Sequence, residues 1–458
     1  MAERTGVEFR CPRCLGTLES VPGPDAPVAL RCTRCTTSFP IMGGVPWLFP
    51  EPALMLGEWR NRQRLYLEEI ERDRRAAEAA LAGSPSAATR ARLERLVAAY
   101  GEHLVTVSGL LAPLGLVAVP AGHATMNAFG VTLPQRQDLH SYYTNLHRDW
   151  CWGALENQLA LDAVRAALPD RRDTRLAVLG AGSGRLAYDL HQSGLVGETV
   201  ALDINPLLVL VAREMIEGRS VWLHEFPLAP RTAAETAVRR ELKAPVAVRP
   251  GLRLVFGDAF AAPFPPASFD AVLTPWLADI VDEDIASLAT AVNRLLVPGG
   301  RWIYHGSASF VGRGPADRYN IEEVDERVRQ TGFAAPVWQS ADMPYMRSPA
   351  SRHSRVETVL TFASVKQHEA PERPGHHPGS DWLTNLSLPI PLSPALELAG
   401  IAARIQAFTL SLVNGERSAA ELAEFLVAQG LLDPESSMAA VLGLLQRLTD
   451  AERRPPPH

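Results

Sequence analysis

Leu179-Gly180-Ala181-Gly182-Ser183-Gly184 follows the apolar run Arg175-Leu176-Ala177-Val178 and opens a helical pattern at Arg185. Glycines at these spacings let the backbone turn tightly from strand to helix and approach a nucleotide with no Cβ in the way. Such a loop serves NAD, FAD and S-adenosylmethionine alike. The next apolar run, Thr199-Val200-Ala201-Leu202-Asp203, ends in a carboxylate nineteen residues beyond Gly184 (203 − 184 = 19). An acid there can accept hydrogen bonds from both ribose hydroxyls, or simply cap the following helix. A third run, Leu252 to Phe256, leads into Gly257-Asp258-Ala259, where Asp258 can take an exocyclic amine and the Ala259 N–H a ring nitrogen. The fourth, Phe269-Asp270-Ala271-Val272-Leu273-Thr274, is followed by Pro275-Trp276-Leu277. The helix after it closes at Leu296-Val297-Pro298-Gly299-Gly300, ahead of a strand Arg301-Trp302-Ile303-Tyr304. Strands alternating with helices to about residue 365 predict an α/β fold, a parallel sheet with helices on both faces.

Five motifs in this order over about 120 residues resemble the Rossmann-like class I S-adenosylmethionine-dependent methyltransferases. A closer resemblance, to the carnosine N-methyltransferase family, covers roughly residues 135–365. It is carried by Arg148-Asp149-Trp150, by Gly180 to Ala187, and by Val221-Trp222-Leu223-His224-Glu225-Phe226 in a long insertion. Pro298-Gly299-Gly300-Arg301-Trp302-Ile303 and Tyr345-Met346-Arg347-Ser348-Pro349 extend it. That resemblance implies methyl transfer to a side-chain nitrogen such as imidazole, in a small molecule, peptide or protein. It implies Arg148 on the methionine carboxylate, the loop Gly180, Gly182 and Gly184 under the cofactor, Asp203 on the ribose, and Asp258 with Ala259 on the adenine. Thr274 falls on the same cofactor side, and Asp279 falls where the family has an acid that orients the acceptor. Tyr345 would line the pocket. The chain departs from the family after Trp302-Ile303, reading Tyr304-His305-Gly306-Ser307, with Val311 where the family carries its active-site histidine. His305 is the candidate to stand in for it. Ile280-Val281-Asp282 likewise follow Asp279 where the family has Thr-Ala-His-Asn.

Cys11-Pro-Arg-Cys14 and Cys32-Thr-Arg-Cys35 form two pairs with seventeen residues between them. This spacing places four thiolates around one tetrahedral Zn²⁺ and leaves no open position, so the expected metal is structural. Ser38 to Leu48 reads as the closing strand and Gly-Pro turn of a zinc ribbon over 1–52, expected as a docking or lid element. The module resembles ribbons fused ahead of bacterial methyltransferases, some of which modify ribosomal RNA. Residues 1–50 hold five Arg, no Lys and four acids, which gives no basic face for RNA. The fifth cysteine, Cys151, is expected as a buried hydrophobe.

Residues 53–134 form a connecting region whose 53–118 stretch, broken at Gly83-Ser84-Pro85, reads as two or three amphipathic helices. A further helical stretch closes at Pro169 and belongs with the methyltransferase domain over 135–366. The polar, Pro-rich 367–381 reads as a linker, and its His368, His376 and His377 lack matching ligands nearby. A helix-rich unit over 382–450 follows, with Ser418 and Glu421 spaced as a capping box. Its Leu412-Val413-Asn414-Gly415-Glu416-Arg417-Ser418 stretch resembles winged-helix and small peptide-binding modules of peptide-modifying pathways. It and the ribbon are the expected protein-contact surfaces.

Across 458 residues, 45 Lys and Arg against 51 Asp and Glu give a net charge of −6, a poor match to a nucleic-acid partner. No apolar run is long enough for a membrane span, and the N-terminus has no apolar signal core, so a cytoplasmic enzyme is expected. Two other readings stay open at this level: an RNA base methyltransferase, and a non-catalytic scaffold on the same fold.

Overall fold

The computed structural model describes residues 6–24, 26–116, 139–170, 173–281, 283–310, 314–370, 389–390, 392 and 394–453. Residues 135–138, Asp282, Val311 and most of the 367–381 linker with His376 and His377 lie outside the described residues. The chain divides into two units, residues 1–376 and 377–458.

The first unit is built on one mixed sheet. Its central strands are β5 (Thr174–Leu179), β6 (Val196–Asp203), β9 (Leu252–Gly257), β10 (Phe269–Pro275) and β11 (Leu296–Gly306), with β12 (Val337–Tyr345) and β13 (Arg355–Val365) at one side. They lie in the order β9-β6-β5-β10-β11-β13-β12. β9, β6, β5, β10 and β11 run parallel, and β13 is antiparallel to both its neighbours. Phe269 to Thr274 are buried without a break, as a strand covered on both faces requires. The sheet order reverses between β5 and β10, which opens a crevice beyond their carboxyl ends.

Sequence and structure part at the Pro-Gly-Gly turn. The preceding helix, Ile285–Leu295, ends one residue earlier than expected, and β11 already begins at Leu296. Leu296 pairs with Phe269, but the next partners are Arg301 and Ala271, so Pro298-Gly299-Gly300 sits in a bulge of the strand.

The cysteine-bearing ribbon comprises β1 (Leu18–Val21), β2 (Ala29–Cys32), β3 (Ser38–Met42) and β4 (Val45–Leu48). Its last strand joins the main sheet: β4 runs parallel to β9, with Trp47 opposite Phe256 and Leu48 opposite Gly257. The period-two pattern of a strand explains the fit. Val45, Trp47 and Phe49 pack on one side with Phe256 and the helical region, whereas Leu48 packs on the other with Leu202 and Val255. The module expected as a docking or lid element thus forms the edge of the sheet and shares its cores.

Two long helices, α1 (Pro52–Ala82) and α2 (Ala87–Leu110), follow, and Ser86 caps the second by accepting from the Thr89 N–H. Trp59, Tyr66 and Ile70 of α1 and Val107 of α2 pack with Leu207 to Val211 of the helix after β6. The long insertion contains an antiparallel hairpin, β7 (Val221–Glu225) and β8 (Val238–Leu242).

Helix Leu139–His147 runs into a π-helical turn, Arg148–Trp152, and then into helix Ala154–Ala167. The wider turn directs Asp149 and Trp150 inward and leaves Cys151 exposed. Cys151 is therefore not the buried hydrophobe expected from its residue type: Trp150 takes the inward position beside it.

The second unit holds helices Pro394–Ser411, Ala419–Ala428 and Ser437–Arg453, with Leu422, Ala423, Leu426 and Val441 as its core. The capping box is formed: the Glu421 N–H donates to Ser418 Oγ and the Ser418 N–H donates to the Glu421 carboxylate. No strand occurs among its described residues.

Candidate active site

The glycine loop turns at the carboxyl end of β5. Gly180 and Gly182 have φ of +72° and +57°, a region that favours glycine. A Cβ on Gly180 would approach Leu277 Cδ1 at 3.0 Å, whereas one on Gly182 would meet nothing within 4 Å. The first glycine is required by packing and the second faces open space. The Gly180 and Ala181 amides donate to the Leu202 carbonyl at 2.9 and 3.0 Å, tying the loop to the next strand. Gly184, also in the left-handed region, stands at the N-cap of the helix that starts at Arg185.

Asp203 ends β6. Its Oδ2 accepts from the Gly182 N–H at 2.7 Å and its Oδ1 from the Asn205 N–H at 2.8 Å. Burial pushes this carboxyl up to about 6, against the pull of these amide donors. Asp258 follows β9 and accepts from the Phe260 N–H at 2.9 Å, capping the short helical turn that Ala259 opens. Thr274 is fully buried in β10, and its Oγ1 accepts from Trp302 Nε1 at 2.9 Å, so its side chain is committed to the core.

The π-helical turn is fastened to the glycine loop by two bonds. Ser183 Oγ donates to Asp149 Oδ2, and Trp150 Nε1 donates to the Ser183 carbonyl at 3.0 Å. The other Asp149 oxygen accepts from Arg148 Nε at 2.7 Å. Burial alone would lower the Arg148 guanidinium; Asp149, Tyr345 and Glu156 outweigh it and push it up. Arg148 also lies 5.6 Å from the centre of the Tyr345 ring.

Beyond β10 and β11 a second group gathers. Trp276, at φ +51°, donates its N–H to the His305 carbonyl at 2.7 Å and packs 5.1 Å from the Tyr345 ring. His305 is buried in β11, with Nδ1 2.9 Å from Thr361 Oγ1 and Nε2 buried without a hydrogen-bond partner. Burial, and then the Arg148 charge, lower its pKa to about 4, so the ring is neutral at physiological pH. Asp279 Oδ2 accepts from Ser307 Oγ and, at 3.3 Å, from the Ser309 N–H, while Oδ1 is buried with no partner. The Glu156 carboxylate accepts from the Met346 and Arg347 amides at 3.1 and 3.0 Å, fixing the turn after Tyr345.

The fold therefore ties Arg148 through Asp149 to the glycine loop and Asp203 to Gly182, sets Arg148 against Tyr345, packs Trp276 against Tyr345 and His305, and holds Asp279 on Ser307 and Ser309. Asp149, Glu156, Trp276 and Ser307 also belong here and were assigned no role from sequence. Asp149 and Trp276 stand inside motifs already quoted; Glu156 and Ser307 lie in no motif, and their partners become visible only in three dimensions.

At the other end of the chain, the Sγ atoms of Cys11, Cys14, Cys32 and Cys35 lie within 4.8 Å of one another. Cys11 and Cys35 are 3.5 Å apart, and Cys14 and Cys32 3.6 Å. Four thiolates at about 2.3 Å from one tetrahedral ion stand about 3.8 Å apart, so this donor set fits a zinc ion.

Residues 177–304 match the methyltransferase-domain family, the stretch that carries the glycine loop, Asp203, Asp258, Asp279 and the Pro-Gly-Gly bulge. The chain is an S-adenosylmethionine-dependent methyltransferase. No curated protein matches it. Among solved structures, it is similar to an S-adenosylmethionine-dependent methyltransferase of Thermotoga maritima described as a possible histamine N-methyltransferase, at 18% identity, TM-score 0.32, over 51% of this chain and 97% of that one. It is similar to a chain of the Haloferax volcanii complex between the Trm112 methyltransferase activator and a methyltransferase, at 18% identity, TM-score 0.32, over 46% and 89%. It is also similar to the phosphoethanolamine N-methyltransferase 2 of Haemonchus contortus, at 17% identity, TM-score 0.31, over 46% and 53%.

Proposed function

We propose that this methyltransferase acts on a neutral nitrogen, with an imidazole in a small molecule, peptide or protein as the acceptor that suits it best. The observation that carries this reading is the state of Asp279. Two donors hold one of its oxygens and the other is buried with no partner, while Trp276, three residues before it in the chain, packs against both His305 and Tyr345. A buried acceptor atom without a donor is costly, and an N–H from the substrate would satisfy it. On imidazole that bond fixes the tautomer, leaving the lone pair of the other nitrogen free to attack.

When bound, the cofactor supplies an electrophilic methyl group on a sulfonium. Asp203 and Asp258 would hold its ribose and adenine, and Arg148 its carboxylate. Asp279 would orient the acceptor through that N–H and take its proton as the far nitrogen gains the methyl group, the cofactor's C–S bond breaking to leave a neutral thioether. Trp276 and Tyr345 exclude water and set the approach, which matters because in-line alignment supplies most of the acceleration. Neutral His305 adds no cation that would repel the charged acceptor forming beside it. The cysteine cluster would hold a structural zinc ion.

RNA base methylation fits less well, since the net charge is −6 and the first fifty residues contain no Lys. The test is transfer of a tritiated methyl group from S-adenosylmethionine to a pool of imidazole compounds and His-containing peptides, with the product located by mass spectrometry. Label on an imidazole nitrogen, reduced at least a hundredfold by Asp279→Asn with cofactor affinity unchanged, is the expected result. Label found only in RNA, or an unimpaired Asp279→Asn enzyme, contradicts it.

A further inference from the structure

The ribbon meets the main sheet at β9, the strand that leads into Asp258. Leu48 pairs with Gly257, the residue immediately before that acid, and a Cβ on Gly257 would come within 3.3 Å of the Leu48 carbonyl. The loop beyond Asp258 is gripped at its far end too. Pro263 O accepts from the Arg10 N–H at 2.8 Å, one residue ahead of Cys11. The Phe9 ring lies 5.9 Å from Phe264 and 4.9 Å from the Arg253 guanidinium at the base of β9. Val7 completes the grip: its N–H donates to both Glu198 oxygens at 3.0 Å, and its carbonyl accepts from Arg253. Cys11 and Cys32 are buried in the same core cluster as Leu202, Val255 and Phe264.

These contacts place the adenine-side loop between two anchors, both belonging to the ribbon. Without β4, β9 becomes the sheet edge, its outward N–H and C=O groups lose their partners, and residues 257–264 lose both ties. A module with so small a core of its own depends on its metal for its fold. We propose that the metal-loaded ribbon is a positioning element of the cofactor site: by holding Gly257 to Phe264, it presets Asp258 for adenine, so zinc occupancy sets cofactor affinity. The inference rests on the assignment of Asp258 to the adenine. Linkage makes the coupling mutual, so cofactor binding must also tighten the ribbon's hold on zinc.

The experiment uses the full chain, zinc-loaded or stripped with a chelator, titrated calorimetrically with S-adenosylhomocysteine. In parallel, zinc release to a chromogenic chelator is followed with and without S-adenosylhomocysteine. Stripping is expected to raise Kd at least tenfold and to speed amide exchange over 257–264, and the ligand is expected to slow zinc release several-fold. If the stripped chain fails to fold, Phe9→Ala decides: zinc content stays at one ion per chain while Kd rises several-fold. Equal Kd values for zinc-loaded wild type and Phe9→Ala, with zinc release indifferent to the ligand, overturn the proposal. Absence of binding by zinc-loaded wild type instead overturns the cofactor-site assignment on which it rests.

Discussion

The Gly182 amide donates to Asp203 Oδ2 at 2.7 Å, so the acid proposed for the ribose and the middle of the glycine loop hold each other in place. Burial has pushed that acid up to about 6, and this fixes how binding responds to pH. A carboxyl raised by folding contributes most to stability in acid, and that contribution fades as pH rises through about 6. Cofactor affinity runs the other way, because only the ionised form can accept two ribose hydroxyls. The Kd for S-adenosylmethionine is expected to be flat above pH 7 and to rise roughly tenfold between pH 7 and 5, most of it below pH 6. Calorimetry across pH 5–8 measures it, and Asp203→Asn should bind weakly with no such slope.

Asp149→Ala removes the acceptor shared by Ser183 Oγ and Arg148 Nε. It leaves a part-buried guanidinium without its nearest counter-charge and a loop hydroxyl without its acceptor, a loss of about 1–3 kcal/mol in stability. Chemical denaturation should show it, and S-adenosylmethionine affinity should fall with it because Ser183 belongs to the glycine loop. Asp149→Asn keeps one acceptor and should fall between.

Much of the site could be read along the chain because its groups sit at strand ends. Gly180 to Gly184, Asp203 and Asp258 each follow an apolar run, and a strand's end fixes where the next residue goes. The alternation of strands and helices likewise announces the parallel part of the sheet, but not the antiparallel pairing of β13 with β11 and β12. What could not be read depends on contacts between distant segments. Glu156 bonds Met346 and Arg347, and Ser307 bonds Asp279, with nothing local to announce either. The exposed Cys151 turned on a π-helical turn, where one extra residue rotates everything after it. The joining of β4 to β9 was hidden because Val45 to Leu48 reads equally well as the last strand of an independent ribbon.

Glu156→Ala frees the Met346 and Arg347 amides and loosens the turn behind Tyr345. Stability should drop by about 2 kcal/mol, the cost of leaving two amides without their acceptor. S-adenosylmethionine affinity should barely change, while KM for the methyl acceptor rises. Steady-state kinetics beside cofactor calorimetry separates the two effects.

His305 keeps its proton off down to about pH 4 when folded, whereas an unfolded histidine takes one up near 6.5. Between those values the unfolded chain binds more protons, so stability must fall as pH drops from 6.5 toward 4. The loss from this group is roughly 3 kcal/mol at most. His305→Gln, which can retain a bond to Thr361, should flatten part of that decline in melts recorded from pH 7 to 4.5. A mutant curve parallel to wild type would remove His305 as its source.

The most direct test of the account is calorimetric titration of the zinc-loaded chain with S-adenosylmethionine beside Asp203→Ala. Saturable binding at one site per chain is expected, weakened at least tenfold in the variant. Binding of equal strength in both proteins, or no heat and no thermal shift in either, would contradict it.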